Sequence, residues 1–149
     1  MAEITVGRID AVAVAHGLLL EHYREVCTRP DLMSMDVDWD QFRALERAGM
    51  LLTILAHVDG QLVGYSVTML LPKHLHYRGF RYAQNDLLFV AAAHRKGGTG
   101  KALIQRTIEV AKLGGYRAMI WHAKEGTALE AVLRRMGHVV QDIWLMKEL

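Results

Sequence analysis

The spacing of apolar residues divides the chain into alternating elements. Ile4–Arg8 reads as a short strand. Asp10 stands where a helix N-cap belongs, and Val12, Ala15, Leu19, Tyr23 and Val26 follow at three- and four-residue steps, the period of one helical face. Residues 27–40 contain Pro30 and read as a connection. A second helix starts near Asp38, with Gln41 three residues on and Trp39, Phe42 and Leu45 facing inward. Leu51–Val58 and Gln61–Leu71 are β-rich and flank Asp59-Gly60, the strongest short hairpin signal. Pro72–Gly79 is a loop, and Arg81–Val90 is a strand whose apolar end suggests burial on both faces. Thr99–Leu113 has a helical pattern that stops at Gly114-Gly115. Tyr116–Trp121 is a strand. Thr127 with Glu130 is a capping box opening a helix through Met136, with Gly137 as its stop signal. His138–Leu149 reads as a closing strand. Antiparallel strands followed by a β-α-β-α-β run give an α/β or α+β domain with a mixed sheet.

At 149 residues, 52% of them hydrophobic and 23% charged, the chain is expected to form one globular domain, residues 1–149, rather than a disordered segment. Its longest apolar run, Leu87–Ala93, is far short of the roughly 20 residues that span a bilayer, and no signal-peptide pattern is read. The expectation is a protein without a membrane partner. One cysteine, Cys27, excludes an internal disulfide framework and a multi-cysteine zinc site, which fits a reduced, cytoplasmic setting. His74 and His76 lack an evident third ligand, so no metal is assigned.

Charge is unevenly distributed. Residues 1–70 carry 5 Lys/Arg against 10 Asp/Glu, whereas residues 71–149 carry 13 against 6. A near-neutral protein with one basic half argues against general nucleic-acid coating and for a localised anion site. That site is read at Ala93-His94-Arg95-Lys96-Gly97-Gly98-Thr99-Gly100-Lys101, where an apolar strand enters a glycine-rich basic turn and a helix leaves it. Helix N-termini carry unpaired N–H groups and positive potential, and glycine removes the Cβ atoms that would hold an anion off the backbone. A phosphate or diphosphate fits.

Two phosphate-binding patterns fail on residue identity. The P-loop needs a hydroxyl after Gly100-Lys101 and finds Ala102. The dinucleotide fingerprint begun by Gly98 and Gly100 needs a third glycine and finds Leu103. Arg95-Lys96-Gly97-Gly98-Thr99-Gly100 meets a third pattern, R/Q-x-x-G-x-G/A, and here the chain resembles the GNAT superfamily of N-acetyltransferases. Upstream, Leu88-Phe89-Val90-Ala91-Ala92-Ala93-His94-Arg95 keeps the spacing of the family's L-x-V-x-P-x-Y-R, with Ala92 and His94 in place of proline and tyrosine. Met136-Gly137 resembles the family's L-G-F ending, and the segments His76-Tyr77, Asn85-Asp86 and Trp121–Lys124 are similar to small phage-encoded members.

The resemblance implies a mostly antiparallel central sheet with one splayed parallel strand pair, flanked by about four helices, and acetyl-CoA as co-substrate between the splayed strands. Arg95, Lys96, Gly97, Gly98, Thr99 and Gly100 would form the diphosphate loop with Lys101 nearby, and backbone groups of Phe89 and Val90 would pair with the pantetheine arm. An amine-bearing acceptor, a small molecule or peptide, would attack the thioester directly. The Val90 N–H would face the oxyanion, with Asp86 as base and His122 as second candidate; Glu125 comes third. Asp86 could equally cap a loop or pair with Arg81, and His122 could be structural. Leu133 stands where members often carry a thiolate-protonating tyrosine, which leaves Tyr82, Tyr116 or water for that role.

Asp31, Asp36, Asp38 and Asp40 could meet a cationic acceptor or form a solvated acidic loop, and Pro72–Arg81, mixing cations with rings, could form the site's other wall. A homodimer is left open. A non-catalytic acyl-CoA-binding or protein/nucleic-acid interaction module on the same fold is the alternative reading. A nucleotide hydrolase is weakened by Ala102.

Overall fold

The computed structural model describes residues 1–149. The chain runs β1 (Glu3–Gly7), α1 (Ile9–Ala13), α2 (His16–Val26), α3 (Trp39–Arg47), β2 (Leu51–Val58), β3 (Gln61–Leu71), β4 (Tyr82–Val90), a 3-10 turn at Ala92–His94, α4 (Thr99–Leu113), β5 (Ala118–Trp121) and α5 (Ala128–Arg135). The five strands lie in sequence order; the first four are antiparallel neighbours and β4 pairs with β5 in parallel. No helix is long and apolar enough to cross a membrane.

The expected first helix is two helices, and the N-terminal cap of the first is tertiary rather than local. Glu46 of α3 accepts from the Ile9 N–H at 2.8 Å, while Asp10 pairs with Arg43 at 2.7 Å instead of capping. The helix breaks at Val14–Ala15, and His22, outside the apolar face read from the sequence, turns into the core beside Leu19. At three other places the local signals and the elements coincide. Asp38 accepts from the Gln41 N–H at 2.9 Å, the Asp59-Gly60 turn joins β2 to β3 with φ of 51° and 78°, and Thr127 caps α5.

The expected closing strand is absent: residues 136–149 pair with no strand. Their apolar residues come in clusters, Val139-Val140 and Ile143–Met146, so no register places them all on one face, and most stay exposed. Contacts that hold the tail include His138 against the Trp121 ring at 6.1 Å, Glu148 on Arg29 at 2.7 Å and the Trp144 ring against His122 at 5.0 Å.

The sheet has a core on each face. Helices α1 to α3 cover Leu51, Leu55, Tyr65, Val67 and Phe89; α4 covers Leu52, Ile54, Ala56, Val63 and Val90 with Leu103. Two bulges set which residues face which core. Val63 is the extra residue opposite β2, and Asp86 the extra residue between the Val67–Leu87 and Thr68–Asn85 pairs. Because side chains alternate along a strand, the inserted Asp86 puts Asn85 on the α4 face and Leu87 and Phe89 on the other.

Candidate active site

Strand β5 follows β4 only from Tyr82–Ala118 to Asn85–Trp121. From Asp86 to Val90, β4 has no neighbour on that side, so a gap opens at the bulge and widens toward the glycine turn. The bulge is held by Asn85. Its buried amide nitrogen lies 3.1–3.2 Å from Ser66 Oγ, Thr68 Oγ1 and the carbonyls of Val67 and Leu87, and donates to two of them at a time. Thr107 of α4 completes the cluster, 2.9 Å from Ser66.

The hydrogen-bond alternation of an antiparallel pair decides which groups face the gap. The Ala91 N–H donates to Val63 at 2.8 Å, and Tyr65 lies opposite Phe89, so Phe89 and Leu87 spend their backbone groups on β3. Leu88 and Val90 present theirs to the gap. This corrects the expectation for Phe89: its neighbour Leu88 supplies the open backbone edge together with Val90, and the Phe89 ring packs in the core under His22, 4.6 Å away and nearly parallel.

At the end of β4, Gly97 and Gly98 have φ of 111° and 89°, a region only glycine enters without strain, and a Cβ at either would meet open space. No acceptor in the protein takes the N–H groups of Gly97, Gly98, Thr99, Gly100 or Lys101; the first helical bond of α4 comes from Ala102 to Gly98. These donors converge at the N-terminus of a 15-residue helix, with Lys96 and Lys101 exposed beside them and in no ion pair. The cradle fits a diphosphate.

Arg95 is used differently from the expectation. Its Nε donates to the Val90 carbonyl at 2.8 Å, its guanidinium meets Glu25 at 2.5 Å, and it lies 5.2 Å over the Phe89 ring. Arg95 therefore fastens the turn to β4 and α2 and engages the Val90 carbonyl, one of the two on the open edge. Glu21 accepts from the Ala92 N–H at 3.1 Å, so α2 grips the turn at two points. Glu21 and Glu25 are not among the residues of the apolar face read from the sequence; only the fold brings them to residues 71 and 70 positions away.

Asp86 sits on the bulge at the gap. Its side chain reaches solvent, yet surrounding protein pushes its pKa up, while the nearby His122 ring pulls the other way. The fold thus brings Asp86 and His122 together. It separates Asp86 from Arg81, which stacks on Tyr116 at 4.6 Å. Glu125 is exposed in the turn before α5. Leu133 is the buried residue of α5. Tyr82 and Tyr116 are at the far end of β4, four residues or about 13 Å from the bulge, and cannot reach a thiolate there. Of the acceptor walls, Asp31 pairs with Arg29, Asp38 caps α3 and Asp40 pairs with Arg43, so only Asp36 is a free carboxylate. Loop 72–81 is at the end of β4 remote from the glycine turn and forms no wall of the gap. An open hollow of about 290 Å³ around Gly7, Arg8 and Arg47 is across the sheet, beyond β3, and takes no part in the gap.

Among solved structures, the chain is similar to an aminoglycoside acetyltransferase, HMB0005, from an uncultured soil metagenomic sample (TM-score 0.75, 18% identity, 99% of this chain and 97% of that one). It is also similar to a ribosomal-protein-alanine N-acetyltransferase from Brucella melitensis biovar Abortus 2308 (0.72, 18%, 100% of both chains). A third is a predicted acetyltransferase with acetyl-CoA from Clostridium acetobutylicum (0.71, 14%, 99% and 96%). At these identities the likeness is one of fold. No curated protein matches the chain. The family model for the acetyltransferase (GNAT) family matches residues 17–138, which include α2, the bulged strand, the glycine turn and the gap. The chain belongs to the GNAT acetyltransferase family and is an acyltransferase.

Proposed function

We propose that the protein moves an acetyl group from acetyl-CoA to a primary amine of a small molecule or peptide by direct attack. The observation that carries the reading is the run of five unaccepted N–H groups, Gly97 to Lys101, at the end of a strand whose Leu88 and Val90 backbone faces an open gap. The diphosphate would lie on those donors and the pantetheine arm along Leu88 and Val90. Acetyl-CoA, when bound, supplies the thioester carbonyl that the amine attacks.

The chain's own residues would do the rest. A neutral amine is the nucleophile, so Asp86, with its pKa raised by burial, takes the ammonium proton directly or through water. The Val90 N–H would face the developing oxyanion, and Arg95, donating to the Val90 carbonyl beside it, would draw electron density from that oxygen. As the amide formed, the C–S bond would break to leave a thiolate, and the second proton of the attacking nitrogen would pass to that thiolate through water, because Leu133 has none to give and Tyr82 and Tyr116 lie at the far end of β4. His122, beside Asp86, is the second group able to accept the amine proton. Neighbours of the same fold are named for aminoglycoside and ribosomal-protein acetylation, which supports an amine acceptor and leaves its size open.

Free thiol released from acetyl-CoA across a panel of polyamines, an aminoglycoside and peptide N-termini tests the reading. Turnover on at least one amine, with mass gain of one acetyl group, is expected. Tight coenzyme binding without turnover on any of them would instead make the protein an acyl-CoA-binding module.

A further inference from the structure

The two ends of β4 differ in chemistry, and the second end is unused by acetyl transfer. Loop 72–81 precedes β4, and the turn 112–117 follows α4; since β4 and α4 both have their other ends at the glycine turn, this pole lies about 20 Å from it. The Arg117 N–H donates to the Arg81 carbonyl at 2.9 Å and the Arg81 guanidinium covers the Tyr116 ring, which joins the two segments. The pole gathers Lys73, Arg78, Arg81, Lys112 and Arg117, all exposed and none in an ion pair. No aspartate or glutamate occurs in residues 60–85 or 110–124.

Rings sit among these charges. His74 is within 4.9–6.3 Å of His76, Tyr77, Phe80 and Tyr82, and Phe80 stacks on Tyr82 at 13°. The rings pack on one another across the loop, and Tyr77 stands 65% exposed at its rim. The sequence shows only the Pro72–Arg81 block; folding adds Lys112, Tyr116 and Arg117 from farther along the chain.

We propose that this pole binds single-stranded nucleic acid, with the cations along the phosphates and Tyr77 under a base. Unpaired cations neutralise a polyanion by releasing its counterions, and an exposed ring stacks on bases only where they are unstacked from a duplex. An anionic membrane is the less suited partner, because no amphipathic helix lies at the pole and its exposed aliphatics are only Leu75 and Leu113. This inference is independent of the acetyl-transfer reading.

The test is fluorescence anisotropy with a labelled 15-nucleotide oligo(U), and oligo(dT) beside it to separate RNA from DNA, titrated with the full chain. Binding is expected at about 50 mM salt and should weaken about 20-fold by 200 mM if three phosphates are neutralised. The double variant Lys73→Gln/Arg78→Gln should flatten the salt slope by about 1.4. Tyr77→Ala should weaken binding at least about fivefold and Tyr77→Phe should restore it. Saturating acetyl-CoA should leave the affinity unchanged. No binding at 50 mM salt, unchanged affinity in all the variants, displacement by acetyl-CoA, or capture by phosphatidylserine vesicles in place of the oligonucleotides would each overturn the proposal.

Discussion

Gly98→Ala separates the cradle's role in binding from its role in folding. Gly98 has φ 89° and ψ 7°, and the methyl would meet nothing within 4 Å, so steric collision is absent and only the left-handed backbone costs energy. That strain is about 1–2 kcal/mol for a residue with a Cβ, or a melting temperature lower by roughly 2–8 °C in a chain of this size. The same methyl would take up part of the open space at the glycine turn, where the diphosphate would lie. Displacing an anion from one charge-assisted bond costs about 1.5–3 kcal/mol, which corresponds to roughly 10- to 150-fold in coenzyme affinity. Gly49→Ala is the control. Gly49 also has positive φ (69°) and open space around it, but it ends α3, away from the turn. Both variants should melt early by similar amounts, and calorimetry with CoA should show weakened binding in Gly98→Ala alone. Equal affinity in the two variants would refute the placement of the diphosphate.

Asp86→Asn should lower the turnover number with little change in coenzyme affinity and abolish the acid limb of the pH–rate profile, which in the parent protein should lie above the ordinary carboxylate range; an unchanged profile would pass the role to His122. Asn85→Ala should destabilise by about 2–4 kcal/mol, because Ser66, Thr68 and two carbonyls lose their shared buried donor, read as a fall in urea midpoint. His22 is buried on Phe89 with Nδ1 2.8 Å from Tyr65 Oη, and desolvation lowers its pKa from 6.5 to about 4. A depressed pKa favours the folded state fully above 6.5, and the advantage disappears as pH falls from 6.5 to 4, on the order of 3 kcal/mol in total. Denaturation at several pH values should show that slope in the parent protein and its loss in His22→Asn.

What the sequence made legible was whatever depends on neighbours in the chain. The hairpin at Asp59-Gly60, the caps at Asp38 and Thr127 and the helix opening at Thr99 each need only a few adjacent residues, and each appears where its pattern lies. The glycine turn was readable for the same reason. What the sequence hid depends on partners far along the chain. Glu46 caps α1 from α3, Glu25 holds Arg95 across 70 residues, and a single inserted residue, Asp86, decides that Leu88 rather than Phe89 faces the gap. Strand parity before and after a bulge differs, and composition gives no sign of where the extra residue falls. The tail failed as a strand because hydrophobicity was counted without its period.

Residue-resolved amide hydrogen exchange with and without acetyl-CoA tests the central claim most directly. The account predicts new protection at Leu88, Val90 and Gly98 through Lys101, with Phe89 unaffected because its N–H is already bonded to β3. Protection confined to other segments, such as the hollow around Gly7 and Arg47, or no change at these amides under saturating coenzyme, would contradict it.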